Sequence, residues 1–108
     1  VRDYIHIYDL IIGHIMAYEF LLDNDGLNVW NLGSGRGFSV LEVIKKCEEV
    51  LNTKINFIVA DQREGDLAEY WADISNSKNK LGWYPKKNLD TMIEDTFRFI
   101  NISKKYLF

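Results

Sequence analysis

The sequence predicts an α/β domain of short strands and about four helices, and three observations lead there. Runs of alternating or β-branched residues, RDYIHI at 2–7, LNVWNL at 27–32 and INFIVA at 55–60, read as strands. Apolar residues recur at helical spacing in four other stretches, each with a recognisable start or stop signal. A glycine-rich turn, GSGRG at 33–37, joins the second strand to a helix. With 108 residues and 47% apolar composition, the chain is one domain's worth. That length allows a single core burying roughly two-thirds of the unfolded surface.

In residues 2–7, Arg2, Tyr4 and His6 alternate with Asp3, Ile5 and Ile7, so one face of the strand is polar and aromatic. Asp9 is placed to cap or complement a helix running to about Leu22. Ile11, Ile15, Tyr18 and Leu22 form one apolar stripe on it, and Ile12, Met16 and Phe20 a second. Most of its circumference is therefore expected to be covered by protein. Gly13 costs this helix roughly 1 kcal/mol relative to Ala unless something packs close against it. DNDG at 23–26 is a turn.

Ser39 followed by Glu42 is a capping box for a helix to about Leu51. Val40, Ile44, Cys47 and Leu51 are expected inward, with Glu42, Lys45, Lys46, Glu48 and Glu49 outward. Cys47 then reads as a small hydrophobe, not a nucleophile. DQREGD at 61–66 is a charged loop around Gly65, and YWAD an extended piece whose Asp73 caps a helix ending at Leu81, with Gly82 at its C′ position. Pro85 prevents continuation, and Asn88 caps a last helix that buries Leu89, Met92, Ile93, Phe97 and Ile100. The tail at 103–108 is expected to fray.

Composition narrows the function. A net charge of −3 without a Lys/Arg cluster gives no electrostatic footprint for nucleic acid. Trp30, Trp71 and Trp83 have no basic neighbours and read as packing aromatics. The single cysteine provides no disulfide framework, zinc pair or redox CxxC, and makes a reducing compartment, the cytoplasm, the simplest home. The apolar stretch 10–22 is too short and too polar to span a bilayer, and no secretory signal is visible. The chain starts at Val1 without an initiator Met, and a piece of a longer protein is expected.

The strand, GSGRG turn, helix and strand, followed by Asp61, imitate a dinucleotide fold. The spacing differs: Gly33, Gly35 and Gly37 are G-x-G-x-G, with Phe38 where the helix-packing glycine of G-x-G-x-x-G belongs. Ser39 and Glu42 also place a carboxylate on the helix start that a pyrophosphate would need. The turn reads as a structural strand-to-helix connection, with Arg36 still able to meet a phosphate.

Read together, VRDYIHIYDL, NLGSGRGFSV, REGDLAEYWAD and KLGWYPKKNLDTMIEDT resemble the C-terminal part of the UDP-glucose 4-epimerases, a family of extended short-chain dehydrogenase/reductases. The resemblance covers nearly all of the chain. It implies the C-terminal substrate-binding lobe of such an enzyme, with residues 1–108 forming the nucleotide-sugar-binding region and the N-terminal NAD-binding Rossmann domain lying outside this chain. In such enzymes NAD takes a hydride from C4 of the sugar, the 4-keto sugar rotates, and the hydride returns to its other face. The tyrosine and lysine of the Tyr-x-x-x-Lys pair are supplied by the first lobe. No tyrosine here is followed by lysine at that spacing, so no catalytic, cofactor-binding or metal residue is assigned to this chain.

Arg2 and Arg63 each offer a planar fork of donors suited to diphosphate oxygens, and the resemblance makes them the diphosphate ligands. It places Asp66 and Tyr4 at the uridine end, Asp66 with acceptors for ribose hydroxyls. Tyr70 borders the sugar pocket, and its bulk implies UDP-glucose and UDP-galactose over N-acetylated hexoses. A homodimer is implied for the whole enzyme, and inactivity for this stretch alone. Arg63, Glu64 and Asp66 can alternatively form a solvated loop with weak internal ion pairs. His6 reads as a core residue, since no acid–base partner is identifiable. Two other readings stay open: a related nucleotide-sugar dehydratase or decarboxylase, and a stand-alone nucleotide-sugar-binding module without chemistry.

Overall fold

A computed structural model describes residues 1–106. Strand β1 (Arg2–Asp3) leads into helix α1 (Ile7–Asp23), and β2 (Gly37–Phe38) into helix α2 (Val40–Leu51). A single π-helical turn (Ser77–Leu81) and the long helix α3 (Leu89–Tyr106) follow. β1 and β2 pair antiparallel, Arg2 opposite Phe38 and Asp3 opposite Gly37, and α2 packs against α3.

The capping signals of α2 and α3 act where expected. Ser39 Oγ accepts from the Glu42 amide and the Glu42 carboxylate accepts from the Ser39 amide, so the capping box starts α2 at Val40. Asn88 Oδ1 accepts from both the amide and the hydroxyl of Thr91, starting α3. Gly82 closes the π-helical turn as expected, donating to Lys78 O, but Asn76 and not Asp73 is its N-cap; Asp73 accepts from the amide and hydroxyl of Ser75 one step earlier. Where the sequence predicts a fraying tail, α3 continues through Tyr106, and residues 107 and 108 lie outside the described residues.

At the start of α1, Asp9 complements the first turn and does not cap it; His6 is the N-cap, its Nδ1 accepting from the Tyr8 amide. Asp9 lies inside the first turn, 2% exposed, and its carboxylate accepts from the Lys87 amide. Its backbone carbonyl accepts from Trp83 Nε1 at 2.9 Å. Leu32 and the Trp83 indole lie so close to Gly13 that a Cβ there would be 2.8 Å from Leu32 and 3.1 Å from Nε1. The glycine's helix penalty is thereby exchanged for close packing against α1.

The strands at 27–32 and 55–60 do not form, and β1 spans two residues instead of six. A strand needs a neighbour for its amides and carbonyls, and no described segment pairs with these two. Side chains replace part of that pairing: Asn76 donates to Val29 O and Ser77 to Asn31 O. Leu27, Val29, Ile58 and Val59 stay exposed.

Among the described residues the expected single large core is likewise absent. The buried hydrophobic ones are Ile74, Trp83, Leu89 and Ile93, while Ile11, Ile15, Tyr18 and Leu22 on α1 are all exposed. Val40, Phe97 and Ile100, expected inward, are also exposed. The radius of gyration is 17.0 Å, against about 13 Å for a compact chain of this length. The accessible surface is 8560 Å², against about 6,200 Å² for a compact monomer of this mass. Surface that a closed core would cover therefore remains open on α1 and along the unpaired segments.

Trp83 is the most deeply packed large side chain, so its truncation tests the packing. Trp83→Ala is expected to cost the protein carrying this chain about 3–5 kcal/mol. Trp83→Phe should cost about 1 kcal/mol by removing the indole hydrogen bond to the Asp9 carbonyl, which keeps its partner within α1. Urea unfolding of the two variants checks both values.

Candidate functional site

The glycine turn and β1 meet through one carboxylate. Asp3 Oδ1 accepts from the Ser34 amide at 2.7 Å and the Ser34 hydroxyl at 2.6 Å. Oδ2 accepts from the Gly35 amide at 3.2 Å and the Ala72 amide at 3.1 Å. Gly35 adopts a left-handed conformation, φ 75°, which turns successive amides toward the same point. At Gly33 a Cβ would lie 2.5 Å from Asp3 Oδ2 and 2.7 Å from the Ala72 Cβ, so only glycine fits.

This is an anion nest whose anion belongs to the chain itself. Burial pushes the Asp3 carboxyl up, but the hydrogen bonds from Ser34, Ala72 and Gly35 together hold it below the usual aspartate value. A dinucleotide pyrophosphate brought to these amides would meet a carboxylate already seated there. The turn does not fit NAD, in agreement with its G-x-G-x-G spacing. Arg36, the remaining phosphate candidate, stacks on the Phe38 ring at 4.6 Å.

Arg2, next to Asp3, uses Nη1 to donate to Val1 O and Leu67 O, both at 2.9 Å. Its guanidinium lies 4.8 Å over the Tyr70 ring, and the Tyr70 amide donates to Val1 O. Nε and Nη2 are left as donors with no partner among the described residues. Arg2 and Tyr70, 68 positions apart, are thus brought together, and Leu67 ties the end of the charged loop to them. Beside Tyr70 is an open cavity of about 450 Å³ lined by Asp3, Trp30, Gly33, Trp71 and Asp73. The Trp30 indole N–H is buried with no partner among the described residues.

The charged loop closes on itself. Arg63 Nε donates to Asp66 Oδ2 at 2.9 Å, the Asp66 amide to Arg63 O, and Gln62 to Asp66 O. The Arg63 side chain is 84% exposed, so this ion pair is worth under about 1 kcal/mol. Tyr4 is placed apart from Arg2 despite their alternation. Pairing ends at Asp3, and Tyr4 lines an apolar cavity of about 410 Å³ between α2 and α3 with Cys47, Leu51 and Phe97. Cys47 is half-buried there.

His6 has the partner the sequence did not reveal. It is 9% exposed, with Nε2 2.7 Å from Asp95 Oδ2. Because Nδ1 accepts from a backbone amide, Nε2 carries the proton and donates to Asp95. The bond joins the start of α1 to α3, and both ring nitrogens are occupied by structure. The hydrogen bond from His6 holds the Asp95 carboxyl below its usual value against a small opposing effect of burial, and Arg98 adds to the lowering. Among the described residues no three His, Cys, Asp or Glu side chains gather as a metal site would need, and no helix is long and apolar enough to cross a membrane.

Asp3 and Asp95 were legible in the sequence only as charges. A signal for Asp3 did exist: it shares a strand face with Ile5 and Ile7, and a charge on an apolar face needs donors nearby. Because both carboxyls are lowered, their stabilisation is complete above the ordinary aspartate range, near pH 4, and is lost as pH falls through the lowered values. Asp95→Asn is therefore expected to flatten the stability loss below about pH 4 in a urea-unfolding series against pH.

No protein-family model matches the chain. A UDP-glucose 4-epimerase from Bacillus subtilis is 43% identical over 99 residues, which is 92% of this chain and 29% of that protein. A solved UDP-glucose-4-epimerase from Stenotrophomonas maltophila, with bound NAD and formylated UDP-arabinopyranose, superposes with a TM-score of 0.91 at 35% identity, covering 95% of this chain and 31% of that one. The Bifidobacterium longum enzyme in complex with NAD+ and UDP gives 0.84 at 38%, over 96% and 30%. The chain thus spans under a third of the length of the relatives it matches. Its mixed fold of helices with a two-stranded sheet is that of their C-terminal lobe. At 38–43% identity over 92% of its own length, the chain is related to the UDP-glucose 4-epimerases and corresponds to their C-terminal part.

Proposed function

We propose that this chain is the nucleotide-sugar-binding region of an NAD-dependent epimerase that interconverts UDP-glucose and UDP-galactose at C4. The observation that carries the reading is the Arg2–Tyr70 pair. The Arg2 guanidinium, tethered to Leu67 O, keeps donors unused and lies 4.8 Å over the Tyr70 ring, and it is Tyr70 that lines the open cavity. Such a fork matches diphosphate oxygens, and the stacked ring limits the volume left for a hexose. The related solved enzyme with bound UDP supports the same ligand class.

In this reading Arg2 and Arg63 clamp the diphosphate and Asp66 accepts from the ribose hydroxyls. Arg63 and Asp66 must first give up their mutual ion pair. That exchange is favourable, since an exposed pair holds under about 1 kcal/mol while a hydrogen bond to a charged group contributes about 1.5–3 kcal/mol. Tyr4 at the uridine end rests on the resemblance alone. Tight grip on the nucleotide with a loose hexose suits a reaction in which the sugar must turn over while its carrier stays bound. NAD, the tyrosine and the lysine of the reaction are held by a Rossmann lobe preceding Val1. The same lobe would cover the apolar face of α1 and pair the segments at 27–32 and 55–60. The whole enzyme is proposed to be a cytoplasmic homodimer.

Calorimetric titration of the whole protein with UDP tests the ligand assignment. Arg2→Ala and Arg63→Ala should each weaken UDP by about tenfold or more, as loss of a charge-assisted contact requires. Unchanged affinity in both variants would refute it. Replacing Tyr70 by Ser should raise turnover of UDP-N-acetylglucosamine relative to UDP-glucose, measured as the ratio of their kcat/KM values.

A further inference from the structure

We propose that Asp3 is the positioning residue of the nucleotide-sugar site, an internal anion that fixes both Arg2 and Tyr70; this rests on the UDP-binding reading above. β1 is two residues long and pairs only with the two residues of β2. A ribbon of that size is too weak to hold an arginine in one place by itself. The Asp3 carboxylate supplies the missing order through four hydrogen bonds, three to the turn at Ser34 and Gly35 and one to Ala72.

Arg2 precedes Asp3 in the chain, and Tyr70 precedes Ala72 by two residues. One carboxylate therefore sets the backbone beneath both members of the stacked pair. The chemistry also needs aspartate. Asparagine offers a single acceptor oxygen and would turn an NH2 group against the Gly35 and Ala72 amides. Glutamate is one methylene longer, in a slot where Gly33 leaves no room even for a Cβ. Asp3 touches no reacting atom; it acts through Arg2 and Tyr70.

The test compares the wild-type holoenzyme with Asp3→Asn by UDP calorimetry and steady-state kinetics. Contacts to the diphosphate are equal in ground and transition states, so their loss raises KM and leaves kcat in place. Asp3→Asn is expected to raise the UDP Kd and the KM about tenfold, with kcat within about twofold. In the Arg2→Ala background the same substitution should change the UDP Kd by less than about threefold, because its effect passes through a side chain already removed. A fall in kcat at unchanged KM, or full additivity with Arg2→Ala, overturns the proposal. If Asp3→Asn does not fold, Ser34→Ala, which removes one of the four donors, is read instead. A rise of about threefold in UDP Kd supports the proposal, and none overturns it. Failure of the wild-type enzyme to bind UDP would refute the underlying reading, whereas wild-type binding with an unaffected Asp3→Asn refutes the role of Asp3 alone.

Discussion

A single carboxylate seated in a glycine turn organises the junction of β1, the turn and the segment leading to Ala72. Asp3 gathers amides from Ser34, Gly35 and Ala72, three points spread over nearly forty residues, onto two oxygens. The carboxylate needs those donors because its burial is otherwise costly, and the amides need it because no strand or helix satisfies them there. Each side of the contact removes the other's penalty. The turn, β1 and the approach to Tyr70 thus share one junction.

Two further anchors follow along the same thread at intervals of three residues. His6 reaches Asp95 on α3, and Asp9 receives the Lys87 amide with its carboxylate and the Trp83 indole with its carbonyl. The first nine residues therefore run between the turn, the last helix and the stretch after the π-helical turn at Trp83 and Lys87, bonded to each. Polar contacts do this work because the apolar core is small. Among the described residues four hydrophobic ones are buried, while the α1 stripe and the extended segments stay open.

That openness is specific in its location. α2 and α3 present their best apolar residues to one another and still leave a cavity of about 410 Å³ between them. α1 keeps one flank packed, at Gly13 under Trp83 and Leu32, and leaves the other exposed. Apolar area of this extent, beside extended segments with unpaired backbone, has the character of a surface that meets more protein.

What the sequence alone determined is what depends on near neighbours in the chain. The capping box at Ser39 and Glu42, the Asn88 cap, the Gly82 stop and the span of α2 are set by hydrogen bonds across three or four residues, and a linear pattern shows them. The departure of GSGRG from a dinucleotide fingerprint was equally legible, as were Arg63 and Asp66 as neighbours within one loop. Tertiary structure decided the rest. Strands at 27–32 and 55–60 were read from β-branched residues, but a strand exists only with a partner, and no periodicity states whether one is present. The seat of Asp3, the bond from His6 to Asp95 and the stacking of Arg2 on Tyr70 join residues 31 to 89 positions apart. Local propensity carries no information over such separations, because these pairs meet only after the chain between them has folded.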